Sequence, residues 1–87
     1  MKNVTFTGAL TIYQALEAKN TLLAAFGEGT DIEIDLTGVT ELDTAGVQIL
    51  VAMKREAARV GRTLRIAHSA VSAEVVDCFH LGAFLGA

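Results

Sequence analysis

The stretch Asp31-Ile32-Glu33-Ile34-Asp35-Leu36 alternates acid and aliphatic without a break. Successive side chains of an extended chain point to opposite faces, so one face of this strand meets a core and the other meets water. A strand covered by helices on both sides would instead read as a continuous apolar run. The alternation therefore predicts a sheet packed on one face only. The acid spacing also invites comparison with a calcium-binding loop, and the comparison fails. Leu36 stands where such a loop needs glycine, and Leu42 where it needs glutamate.

Downstream, the spacing predicts a helix over 44–60. Gly46, Leu50, Met53, Ala57 and Val60 fall on one helical face, and Lys54, Arg55, Glu56 and Arg59 on the opposite side. Gly61 sits where a left-handed C-terminal cap belongs. A second alternating strand follows over 63–67, with Leu64 and Ile66 inward. Two strands joined by one helix should run parallel, with a right-handed crossover. Ser69 is placed to cap a third helix through Val75, Val76 and Phe79. The apolar end, Leu81 to Leu85, is expected to pack back onto the sheet.

Upstream, Val4-Thr5-Phe6 reads as a half-buried strand broken by Gly8, with Leu10 and Ile12 leading into a helix. Thr11 and Gln14 have capping-box spacing. Leu16, Leu22, Leu23 and Phe26 supply the expected buried stripe, and Gly27-Glu28-Gly29 ends the helix. The whole pattern predicts an α/β fold: a small mixed β-sheet with helices packed on one face, forming a single domain over 1–87.

Composition narrows the function classes. An apolar content of 52% in 87 residues is enough for one core. The single cysteine, Cys78, cannot form an internal disulfide, and its apolar neighbours suggest a buried structural thiol. No apolar run approaches the eighteen or so residues of a membrane span, and no signal-peptide pattern opens the chain. A cytoplasmic protein with no direct membrane insertion is expected. Net charge is −3, with acids gathered over 28–43 and five of the seven basic residues over 54–65. That asymmetry suits a solvated helix face or a charge-steered protein partner. Nucleic-acid binding is disfavoured, since the chain is acidic and no aromatics interleave with the basic residues.

The junction Glu41-Leu42-Asp43-Thr44-Ala45-Gly46-Val47 lies beyond a strand's carboxyl end and opens a helix, the usual place for α/β binding sites. Asp43 suits the N-cap, with Thr44 as the first helical residue. Gly46 lies on the buried face, where lacking a side chain permits close backbone approach. Nothing favours an enzyme. A threonine nucleophile needs an adjacent base, and His68 and His80 read as ordinary surface or packing residues. They form no metal-ligand spacing with Cys78. Gly27-Glu28-Gly29 lacks the third glycine of a dinucleotide fingerprint. No cofactor is implied.

The run "DLTGVTELDTAGVQIL" resembles the signature of STAS domains, named for sulphate transporters and anti-sigma-factor antagonists. There, a strand ending in D-[LF]-[ST] leads to D-[ST]-x-G-[LV] at a helix start. "GALTIYQA" looks like the family's early segment, and the strand of "VGRTLRI" falls in order. In regulatory members the hydroxyl residue after the aspartate is phosphorylated by a partner anti-sigma kinase. The resemblance thus implies Thr44 as phosphoacceptor and Asp43, Thr44, Ala45, Gly46 and Val47 as the partner-binding segment. The implied partner is an anti-sigma factor resembling a serine/threonine kinase, within a partner-switching pathway that regulates transcription. Threonine stands where many regulatory members have serine, and a transport-associated subgroup shares it. The second implied reading is therefore a STAS subunit of a lipid-asymmetry ABC transporter, docking on its ATPase.

Overall fold

The computed structural model describes residues 1–81. Strands and helices alternate: β1 (Lys2–Leu10), α1 (Ala15–Gly27), β2 (Ile32–Leu42), α2 (Thr44–Val60), β3 (Leu64–Ala67) and α3 (Ala70–Cys78). The strand order is β1-β2-β3, and both pairings are parallel. The α/β class stands, while the described sheet is wholly parallel rather than mixed. Each strand-to-strand connection contains a helix, which returns the chain to the same end before the next strand starts. The two crossovers advance in one direction across the sheet, and α1 and α2 pack against each other. α3 packs against β2.

The alternation in 31–36 has the expected result. Ile32, Ile34 and Leu36 are each 0% exposed, and Val4, Ile34 and Ile66 form one buried row across the sheet. Truncating such a side chain to alanine costs about 2–5 kcal/mol, so this row is the mechanical centre of the domain. On the other face, the acids have jobs beyond solvation. Asp31 accepts the Thr63 N–H at 2.9 Å, tying the β2 start to the turn before β3. Asp35 accepts from the Thr37 N–H at 2.9 Å and the Thr37 hydroxyl at 2.6 Å.

Both β1 and β2 are longer than the alternation predicts. The register slips between Thr5 and Thr7 and again between Gly8 and Ala9, the latter beside a φ of +73° at Gly8. Each irregularity breaks the period of two without ending the pairing. Thr7 to Leu10 therefore still pairs with Gly38 to Leu42. The Asp35–Thr37 bonds brace the first slip, where Phe6 faces a longer piece of β2.

The α1 stripe is corrected. Helix formation starts at Ala15 with Gln14 as N-cap, and the buried positions are Ala18, Leu22, Ala25 and Phe26. Leu16 and Leu23 are exposed, at 69% and 37%, because the face through Leu22 and Phe26 passes through Ala18 instead. The Thr11–Gln14 pair forms only in part. Gln14 Oε1 accepts the Thr11 N–H at 3.0 Å, but the Thr11 hydroxyl donates to that same oxygen rather than accepting a helix N–H.

In α2 the buried face is Gly46, Val47, Leu50, Met53 and Ala57. Val60, expected on the same face, is exposed. Gly61 adopts φ 72°, ψ 32°, and the N–H groups of Gly61 and Arg62 satisfy the last carbonyls. Cys78 is exposed, against the sequence expectation. Ser72 and Val76, four apart, define the inward side of α3, and two residues beyond Val76 the helix points roughly 200° away. Leu81 packs against the core; the rest of the expected tail packing, over 82–85, lies outside the described residues.

Candidate functional site

The site is the junction where β2 ends and α2 begins. Asp43 occupies the N-cap in extended conformation, and its Oδ1 accepts the Gly46 N–H at 3.0 Å. Its Oδ2 accepts the Ile12 N–H at 3.1 Å, from the segment between β1 and α1. One carboxylate thus caps its own helix and pins a second chain segment beside it. The Gly46 N–H, with a lesser contribution from the Ile12 N–H, holds the Asp43 carboxyl below its ordinary 3.8 against an opposing desolvation effect. Asp43 is therefore an anion at neutral pH with both oxygens engaged. It is poorly placed to act as a base.

Gly46 is where β1 and α2 meet. A Cβ there would fall on the Leu10 carbonyl oxygen and lie 2.5 Å from the Leu42 side chain. Only glycine permits this approach, so the helix head is seated against the ends of both strands. Val47 is buried, Ala45 is half-buried, and Thr44 is exposed in the first turn of α2. Of the expected partner-binding segment only Thr44 is fully exposed, while Gly46 and Val47 are buried. Within it the roles divide: Asp43 and Gly46 hold the helix head in place, and Thr44 is its exposed residue.

Two exposed apolar features adjoin Thr44. Beyond the Ile12–Asp43 bond, Ile12 is 66% and Tyr13 90% exposed. On the other side, an open groove of about 390 Å3 runs along α2, with Val47, Val51, Phe79 and Leu81 among its lining residues. Thr44 belongs to this groove, and so does Arg55. The sequence reading missed both features. Arg55 lies three turns from Thr44 on the same side of the helix, which spacing could have suggested. Phe79 and Leu81 come from a different element, and only the fold brings them there.

Neither histidine lines the groove, although His80 lies between Phe79 and Leu81 in the chain. His68 Nδ1 is 3.0 Å from the Ser72 hydroxyl, and burial lowers its pKa from 6.5. His80 takes the left-handed position after α3, with φ 57°. Among the described residues no group of His, Cys, Asp and Glu could hold a metal ion, and no helix is long and apolar enough to cross a membrane.

The family described as "Mlab, STAS domain" matches residues 2–84. The chain belongs to the STAS family. A solved structure described as "Crystal Structure Analysis of Mglu" superposes with a TM-score of 0.65 at 14% identity, covering 74% of this chain. This STAS chain spans 16% of the length of that one, and the likeness concerns the fold alone. Comparison of the sequence with curated proteins gives no match. Membership of the family supports a regulatory or binding role of the general STAS type, in a class that is generally non-catalytic.

Proposed function

We propose that this STAS domain is a non-enzymatic docking module whose contact surface centres on Thr44, and that phosphorylation of Thr44 by a kinase-like anti-sigma partner releases that partner. One observation carries the reading. The Thr44 residue is exposed at the head of a helix whose capping carboxylate and backing glycine are both committed to holding that head in place. A phosphate there would add about −1.5 to −2 charges. The helix N-terminus tolerates an anion, while Asp43 opposes it locally, so the fold should survive and the interface should respond. A like charge at roughly 6 Å, with effective dielectric ~20, costs about 2–3 kcal/mol. That is around a hundredfold in affinity.

A second reading has its own support. The matching family is named for Mlab rather than for a sigma-factor antagonist. The apolar groove continuing from Thr44 also suits a lasting interface, since permanent contacts are the more hydrophobic ones. In that reading the same surface docks on the ATPase of an ABC transporter, and Thr44 is a contact residue without a switch.

Recovery of partners from the native host with wild-type, Thr44→Ala and Thr44→Glu baits tests both. A kinase-like partner kept by wild type and alanine, lost with glutamate, and able to phosphorylate Thr44 with ATP supports the switch. A transporter ATPase supports the second reading. Circular dichroism of Thr44→Glu should match wild type; an unfolded spectrum would remove the premise that phosphate acts at the interface.

A further inference from the structure

The groove beside Thr44 extends to Arg55, a charge with no match among the described residues. Arg55 lies about 16 Å from Thr44 along the axis of α2, at 1.5 Å per residue. Its neighbours are engaged: Arg59 pairs with Glu56 at 2.7 Å, and Lys54 donates to the Leu64 carbonyl at 2.8 Å. Among the described residues Arg55 has no carboxylate partner. Between Thr44 and Arg55 the lining is mainly apolar, and Phe79 remains 44% exposed. The groove is also open, which suits a chain segment better than an enclosed small molecule.

We infer that the groove receives a segment of a partner protein that presents apolar side chains against Val47, Val51 and Phe79 and a carboxylate against Arg55. Charge complementarity selects this occupant: a guanidinium lining a mainly apolar trough favours a carboxylate and repels a base. The inference rests on the docking reading above and adds the chemistry of the docked segment.

The test is titration of the 15N-labelled full chain with a synthetic peptide of leucines at helical spacing and one glutamate, alongside its glutamine and lysine counterparts. The glutamate peptide should shift the amides of Val47, Val51 and Phe79. It should bind about threefold tighter than the glutamine peptide, the range of an exposed ion pair. Arg55→Glu, with wild-type spectral dispersion as its folding control, should reverse the order of the glutamate and lysine peptides. Equal affinities, an order that Arg55→Glu leaves unchanged, no binding, or shifts confined to another face would overturn the inference. Groove amides that move with protein concentration alone would give the groove to a second copy. Binding that appears only after removal of residues 82–87 would give it to the chain's own end. The Thr44 reading fails separately: it falls if the native partner tolerates Thr44→Glu, whatever the peptides do.

Discussion

Two helices here begin with a side-chain cap, and the caps differ in reach. At α3, Ser69 accepts the Ser72 N–H at 3.0 Å and Ser72 returns a hydroxyl to the Ser69 N–H at 2.9 Å. Everything needed lies within four residues, and Ser72 is fully buried. At α2, Asp43 satisfies one N–H of its own helix and one of a segment 31 residues earlier, while Gly46 seats the helix on Leu10 and Leu42. The α3 start is self-sufficient. The α2 start is tied into the sheet, and it leaves an unburied threonine at its tip.

Substitutions can break that contrast. The largest effect is expected from Gly46→Ala, because the added methyl meets backbone of β1 that cannot swing aside. Overpacking of this kind costs about 1–3 kcal/mol or more, read as a lower urea midpoint. An unchanged midpoint would mean the α2 seat is looser than its geometry. Ser72→Ala should come next, at about 1–2 kcal/mol, since it leaves a cap N–H without its partner. Its effect should stay within α3 and the adjoining His68, visible as backbone chemical-shift changes that spare Gly46.

Asp43→Asn should destabilise less, and the deficit should depend on pH. The folded-state pKa of Asp43 is depressed, so its contribution is present above 3.8 and is lost as pH falls through the lower folded value. Wild type and Asp43→Asn should therefore converge in urea midpoint in strong acid. His68 acts earlier in acidification. Its pKa is lowered from 6.5 by burial, so the neutral form favours folding above 6.5 and that contribution fades as pH falls through the folded value. The wild-type urea midpoint should thus begin to fall below pH 6.5, before the Asp43 contribution starts to fade below 3.8. A midpoint that stays flat down to 3.8 would dissolve the distinction between the two starts. Smallest of all, Thr44→Ala should change stability by less than about 0.5 kcal/mol, since an exposed hydroxyl outside any hydrogen-bond pair among the described residues supports little.

The parts of this design that were legible in sequence are those carried by local chemistry. Asp31 to Leu36 announces its two faces, Gly61 its left-handed turn and Ser69 its cap. Asp43 was legible as a cap but not as a tether, because Ile12 joins it only once β1 lies beside β2. Leu16 and Val60 misled because hydrophobic periodicity does not tell which of the apolar positions the fold covers: in α1 the buried face runs through Ala18 and leaves Leu16 outside, and in α2 it leaves Val60 exposed. Cys78 looked buried among apolar neighbours in sequence, although helical geometry turns it outward. The groove could be read only in part from α2, since Phe79 and Leu81 join its lining from beyond that helix.

The bond from the Ile12 N–H to Asp43 gives the domain a built-in reporter. That amide belongs to a different segment from Thr44, yet its acceptor is the residue immediately before Thr44 in the chain. A visitor that steadies Asp43 should slow solvent exchange at Ile12 without touching Ile12. One that pulls the carboxylate outward should speed it. The exchange rate of a single amide would then register both whether the helix head is occupied and whether it is being pressed home or prised loose.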